Sequence, residues 1–199
     1  MPGKLMRISK EKAAENRAAL IKAASELFRA RGIDGVGVAE ISKAAGLTHG
    51  ALYAHFKSKD ALALAALSYG FEESLARMAA HEASSQPDLA NWLDACLSPQ
   101  GRDDYAGGCP MSASASEIGR QDTLLSARFA EGYISVVDAF ERHIARHAPA
   151  ADAPARAMAA VATMIGGLAV ARGTAKGHPA LSEQVLKAAR TMIDEMMLG

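Results

Sequence analysis

Alanine and leucine recur at spacings of three and four through most of this chain, and no stretch alternates apolar and polar residues between turn signals. The first pattern lays an apolar stripe along an α-helix; the second, which a half-buried strand requires, is missing. The chain is therefore expected to be all-α. Half of its 199 residues are hydrophobic and 22% are charged, which fits a folded chain and not a disordered one. That length is enough to bury a sizeable core.

Caps and breakers divide the pattern. The first helix is expected to start after Ser9 and to stop at Gly32, with Leu20, Ala24, Leu27 and Phe28 as its inner stripe. A short second helix covers residues 38–45, with Ile41, Ala44 and Ala45 facing inward. "GL" makes a tight turn, and Thr48 is a good N-cap for a third short helix ending near Phe56. Ser58 caps a fourth helix reaching about residue 80; "SSQPD" breaks the chain, and residues 87–97 make a fifth. "SPQGRDDYAGG" reads as a loop, and helices follow at about 110–118, 121–147, 152–174 and 180–197. The sum is about nine helices, in a small N-terminal unit (1–57) and a larger C-terminal one (58–199).

Formal net charge is zero, but the charge is unevenly placed. Residues 1–60 carry eleven Lys/Arg against six Asp/Glu, a net +5, and residues 61–199 carry −5. A basic module joined to an acidic one suggests that the first meets a polyanion. Cys96 and Cys109 are too few for a disulfide scaffold and lack zinc-type spacing. The N-terminus has no apolar core of signal-peptide length. The longest uncharged stretch, residues 157–171, falls short of the roughly twenty needed to span a bilayer. A cytoplasmic protein with no membrane partner is expected.

Two short helices joined by a tight turn containing glycine form the helix-turn-helix pattern. Leu47, Leu52 and Phe56 share one face and should be core. His49 and Tyr53, four apart, then lie on another face together with Gly50, free of Asp and Glu and followed by Lys57 and Lys59. Such a face suits the major groove of double-stranded DNA. Thr48, Tyr53, His55, Lys57 and Lys59 are candidates for phosphate contacts, while His49 and the Gly50 backbone are candidate base readers. Lys43 and an N-terminal arm with Lys4, Arg7 and Lys10 add backbone charge. Tyr53 as a packed aromatic and His55 as a structural helix end compete with these roles. His49 and His55, six apart, cannot share a helix face, so no metal site is expected. Nor is catalysis: "HEASS" lacks a second zinc-protease histidine, "GVGVAE" lacks a nucleotide-loop glycine, and no G-x-S-x-G occurs. No cofactor is called for.

The stretch "ALIKAASELFRARGIDGVGVAEISKAAGLTHGALYAHFKSKDAL" resembles the N-terminal domain of the TetR family of tetracycline-repressor-like regulators over about residues 17–67. The resemblance implies a homodimeric, all-helical transcription regulator, usually a repressor, whose C-terminal helices bind a small effector and form the dimer. Carried over, the DNA-contacting positions fall on Thr48, His49, Gly50, Tyr53, His55 and Lys59. One departure is Gly37, where the family often has Thr or Ser; it weakens a helix cap by a few tenths of a kcal/mol.

Beyond residue 67 the resemblance holds only in helical layout and a "GC" before the sixth helix, so the effector does not transfer. Met78, Trp92, Cys96, Cys109, Met111, Phe129, Tyr133 and Met164 are candidate cavity residues, with plain core as the alternative. Gly166, Gly167, Val170, Leu186, Met192, Ile193 and Met196 are candidates for the dimer interface, against closure of the subunit's own core. Pro110 at a helix start makes Cys109 the N-cap, where unpaired N–H groups favour a thiolate. Cys109 as a sensor of oxidants or electrophiles is thus one alternative; a helical carrier or enzyme without specific DNA binding is another.

Overall fold

A computed structural model describes residues 10–82, 89–148 and 151–198. Among the described residues there are ten α-helices and no strand. They are α1 (Lys10–Arg31), α2 (Val38–Ala44), α3 (His49–His55), α4 (Lys59–Glu82), α5 (Leu89–Cys96), α6 (Pro99–Asp103), α7 (Pro110–Ile118), α8 (Thr123–His147), α9 (Ala153–Thr174) and α10 (Pro179–Leu198). The fold is all-α, as the periodicity implies. The tenth helix is α6, inside the expected loop. Ser98 accepts a hydrogen bond from the Gly101 N–H at 3.0 Å and Pro99 occupies the first turn, so its start signal was present in "SP". The Ser9 cap and the "SSQPD" break lie outside the described residues.

The N-terminal core is built from Leu20, Ala24 and Phe28 of α1, Ile41 of α2, Leu52 of α3 and Phe56. Ala44 is exposed, contrary to the inward position expected for it. Ser42 takes the buried place instead, because its hydroxyl donates to the Val38 carbonyl at 3.0 Å and so brings no unmet polar group inside. The α2–α3 turn is set by Gly46 at φ +70°. Its N–H reaches the Lys43 carbonyl at 3.0 Å and the Leu47 N–H reaches the Ser42 carbonyl at 2.8 Å, the paired bonds of a Schellman stop. Half-buried Leu47 then packs on the core.

Helix α4 belongs to both cores. Its Leu62, Ala63 and Ala66 complete the N-terminal core, together with Ile118 and Leu125 from beyond it, while Phe71 and Met78 enter the larger one. Ser58 caps α4 as expected, its Oγ accepting from the Ala61 N–H at 3.1 Å. In the larger core α9 is central, burying Ala157, Ala160, Val161, Met164, Leu168 and Ala171 between α8 and α10. Residues 153–175 are long and apolar enough to cross a membrane by composition alone, and a third of that span is buried inside the fold. Helix α8 passes Phe71 at Gly132, where an added Cβ would stand 2.3 Å from the ring.

Three residues assigned to the dimer surface are used within the subunit. Leu186 and Ile193 are buried in its own core. Gly167 lets α9 approach α10, since a Cβ there would meet the Ala189 Cβ at 2.6 Å. The apolar stripe of α10 is broad, and one edge of it turns inward. Gly166, Val170 and Met192 remain exposed and Met196 half-buried.

Candidate nucleic-acid interface and ligand cavity

Helix α3 is short because Gly46 stops α2 just before it and Phe56, with extended backbone, ends it. Within these seven residues Leu52 is fully buried and its neighbour Tyr53 is 54% exposed. Thr48, His49 and Gly50 are exposed as well, so the face predicted to point outward does so. His49 stands edge-on to Tyr53 with ring centroids 5.4 Å apart. A Cβ added at Gly50 would meet nothing within 4 Å, leaving the backbone open to close approach. Arg17 of α1 lies over the Phe56 ring, 5.0 Å from its centroid, and ties the end of α3 to α1.

The surroundings of this face are cationic. Lys43 and Lys57 are exposed, and His55 and Lys59 are half-buried at the ends of α3 and α4. Glu40, the carboxylate on α2, is held by Arg31. Lys10 is exposed; Lys4 and Arg7 lie outside the described residues. Thr48 is the N-cap residue of α3, but its side chain makes no cap hydrogen bond, which leaves the hydroxyl for another acceptor or donor. Gly37 caps α2 at φ −86° and ψ 150°, a conformation open to serine, with free space beside it.

Below α4 a cavity of about 200 Å³ is lined by Ser74, Arg77, Trp92, Cys96, Cys109 and Leu168 and by the loop around Gly107 and Gly108. Three of the eight predicted cavity residues are thus brought together here. Met111 and Met164 line a void of about 10 Å³ that shares Trp92 and Cys109 with it. The other three do not reach this cavity. Met78 is core and lines a surface groove with Leu75 and Arg142. Phe129 packs on Phe71, ring centroids 6.0 Å apart. Tyr133 donates its hydroxyl to the Met158 carbonyl at 3.0 Å. All three sit at helical positions that suit a lining residue, and only the packing of α4 and α8 on their neighbours separates the two cases.

Cys109 is the N-cap of α7 with Pro110 following, as the sequence implied, and its thiol makes no cap hydrogen bond. Burial pushes the Cys96 thiol up to about 12, with Cys109 adding to the effect and Arg77 opposing it. Arg172 of α9 reaches across to the end of α6: Nε donates to the Arg102 carbonyl at 2.9 Å and Nη2 to the Asp104 carbonyl at 3.2 Å. Burial lowers the Arg172 pKa from its ordinary value. Sequence reasoning missed Arg77, Arg172 and the Gly107–Gly108 turn. The i, i+4 spacing of Glu73 and Arg77 can be read from the sequence, but not that Arg77 lines a cavity.

Residues 20–66 match the model of the bacterial regulatory proteins, tetR family. Over 63 residues the chain is 43% identical to the HTH-type transcriptional regulator TtgR of Pseudomonas putida, covering 32% of this chain and 30% of that protein. Over 54 residues it is 44% identical to the HTH-type transcriptional repressor BepR of Brucella suis, covering 27% and 26%. The matched segment therefore spans under a third of these relatives. Along nearly its whole length the chain resembles the crystal structure of a TetR transcriptional regulator from Chloroflexus aurantiacus. There the identity is 29%, the TM-score 0.75, and coverage 93% of this chain and 95% of that one.

Proposed function

Because this chain belongs to the TetR family of bacterial regulatory proteins, we propose that it is a non-enzymatic, cytoplasmic repressor that binds an inverted-repeat operator as a homodimer and is released by a small effector. The observation that carries the proposal is the division of α3, with Leu52 buried and Thr48, His49, Gly50 and Tyr53 turned out on a cationic surface. Such a surface meets phosphate oxygens and base edges in a major groove. The repressor role is supported by the name of the Brucella relative.

Residues 1–57 form the DNA-binding module in this reading and residues 58–199 the effector and dimer module. Helix α9 presents an exposed run of small and apolar residues (Met158, Ala162, Gly166, Val170), and Met192 is exposed on adjacent α10. A second copy covering both would hold the two α3 helices at a fixed spacing. An effector in the 200 Å³ cavity weakens DNA binding only as far as it prefers the conformer with the wrong spacing. A gel shift with DNA from upstream of the chain's own gene tests the proposal. A specific complex that the effector dissolves is expected, and the absence of any specific complex contradicts it.

A second reading is supported by Cys109, a half-buried N-cap thiol without a cap hydrogen bond in the cavity wall. In it the thiol itself is the effector site for an oxidant or electrophile. A Cys109→Ser protein that still leaves DNA on oxidant treatment eliminates this reading.

A further inference from the structure

Glu73 of α4 stands between two arginines from different parts of the molecule. Arg29, near the end of α1, places both Nη atoms 3.3 Å from Glu73 Oε2. Its side chain is only 6% exposed, and its Nε is buried with no partner among the described residues. Arg77, one turn further along α4, places Nη1 3.7 Å from the same Oε2. Arg77 also lines the 200 Å³ cavity with Cys96 and Cys109. One carboxylate oxygen thus serves a buried cation of the helix-turn-helix unit and a cation of the cavity wall.

A buried guanidinium depends on its countercharge, because little water is present to replace it. Arg29 and Arg77 share the lone pairs of one carboxylate oxygen, so a ligand that draws Arg77 toward the cavity leaves Glu73 Oε2 to follow Arg29. The contact is poised at a junction. Arg29 Nη1 also lies 3.5 Å from the Gly108 carbonyl, next to Cys109. A void of about 30 Å³ lined by Arg29, Gly70, Pro110 and Glu117 lies between α1, α4 and α7.

Two arginines stand in or beside the cavity against one carboxylate in its wall, although the C-terminal module as a whole is acidic. Arg77 lines the cavity, and Arg172 lies at its loop, where its hydrogen bonds among the described residues go to backbone carbonyls. The Asp104 carboxylate, also in the wall, is engaged by the Gly107 N–H at 2.7 Å.

We propose that this cavity takes a small organic anion on Arg77, and that the Arg77–Glu73–Arg29 chain reports its binding to the helix-turn-helix unit. The inference rests on reading the cavity as the effector site. With an anion on Arg77, Glu73 pulls on Arg29 alone, α1 shifts against α4, and DNA binding weakens.

The test places a charge in the cavity without knowledge of the natural effector. In full-length Cys96→Ser protein, Cys109 is modified with one of three methanethiosulfonates: anionic sulfonatoethyl, cationic trimethylammonioethyl or neutral methyl. The thiolate attacks the sulfenyl sulfur, methanesulfinate leaves, the thiol proton goes to solvent, and a mixed disulfide remains. Kd is then measured for a duplex selected from a random pool. The anionic adduct is expected to raise Kd about tenfold over the neutral one, and the cationic adduct is not. In the Arg77→Gln background the anionic-to-neutral ratio is expected to collapse to about one. Equal shifts from all three adducts, or an anionic effect that survives Arg77→Gln, overturn the charge chain but leave the cavity an effector site. No shift from any adduct overturns both.

Discussion

His49 and Tyr53 meet edge to face on the outer side of α3, with ring planes at 82° and centroids 5.4 Å apart. The contact favours one mutual arrangement of the two exposed rings, which lowers what ordering them against a partner costs. On the other side of the helix buried Leu52, with Phe56 just after it, anchors α3 to the core.

The two residues are expected to act differently on DNA. His49→Ala costs about 1 kcal/mol or more of discrimination at the base pair it meets and leaves random-sequence binding nearly unchanged. Tyr53→Ala and Lys59→Ala weaken specific and random duplexes alike, and Lys59→Ala lowers the salt slope by about one. Anisotropy titrations on both duplexes over a range of salt check this. Equal losses for all three variants on both DNAs contradict the division of labour.

Gly50 is expected to trade stability for function. A Cβ there enters open space in the free protein, so Gly50→Ala should stabilise by about 1 kcal/mol at most through helix propensity. The same Cβ stands where a DNA surface must approach, so affinity should fall. A higher Tm with weaker DNA binding is the expected result; unchanged affinity removes Gly50 from the interface.

Gly132→Ala should destabilise by about 1–3 kcal/mol by overpacking, since its Cβ would collide with Phe71 in the core. Denaturant midpoints measure the loss. Unchanged stability would mean that Phe71 has room to turn aside.

Cys96 should resist alkylation at moderate pH. With its thiol pushed up to about 12, the thiolate fraction at pH 8 is about one in ten thousand. Unfolded, the thiol titrates near its ordinary 9.0. The folded chain therefore keeps a proton that the unfolded chain loses above pH 9. This contribution to stability is complete below pH 9 and is lost as the pH rises toward 12. Mass spectrometry after iodoacetamide treatment at pH 8 should find Cys96 unmodified, and rapid labelling there would contradict the burial.

What could be read from the sequence was local. The Gly46 stop, the Ser58 cap, Cys109 before Pro110 and the inward Leu52 and Phe56 depend on spacing and cap chemistry within a few residues. Ala44 was misplaced because nothing in the spacing says that Ser42 turns its hydroxyl back on its own helix. The cavity was legible only in part, since Trp92, Cys96 and Cys109 come from separate elements while Phe129 and Tyr133 have the same apolar look. Arg29 and Glu73 are 44 residues apart, and no helical period relates them. For α10 the stripe was correctly seen as apolar, but which edge faces α9 is decided by packing, and Leu186 and Ile193 went inside.

The central claim, that α3 reads DNA as one half of a symmetric pair, is tested most directly by selecting bound duplexes from a random pool with the full-length protein. The account predicts an enriched inverted repeat with half-site centres about 34–36 Å apart or a multiple of that, with the preference relaxed at one position of each half-site when His49→Ala protein is used. No enrichment over random sequence, or a single half-site with no symmetric mate, would contradict it.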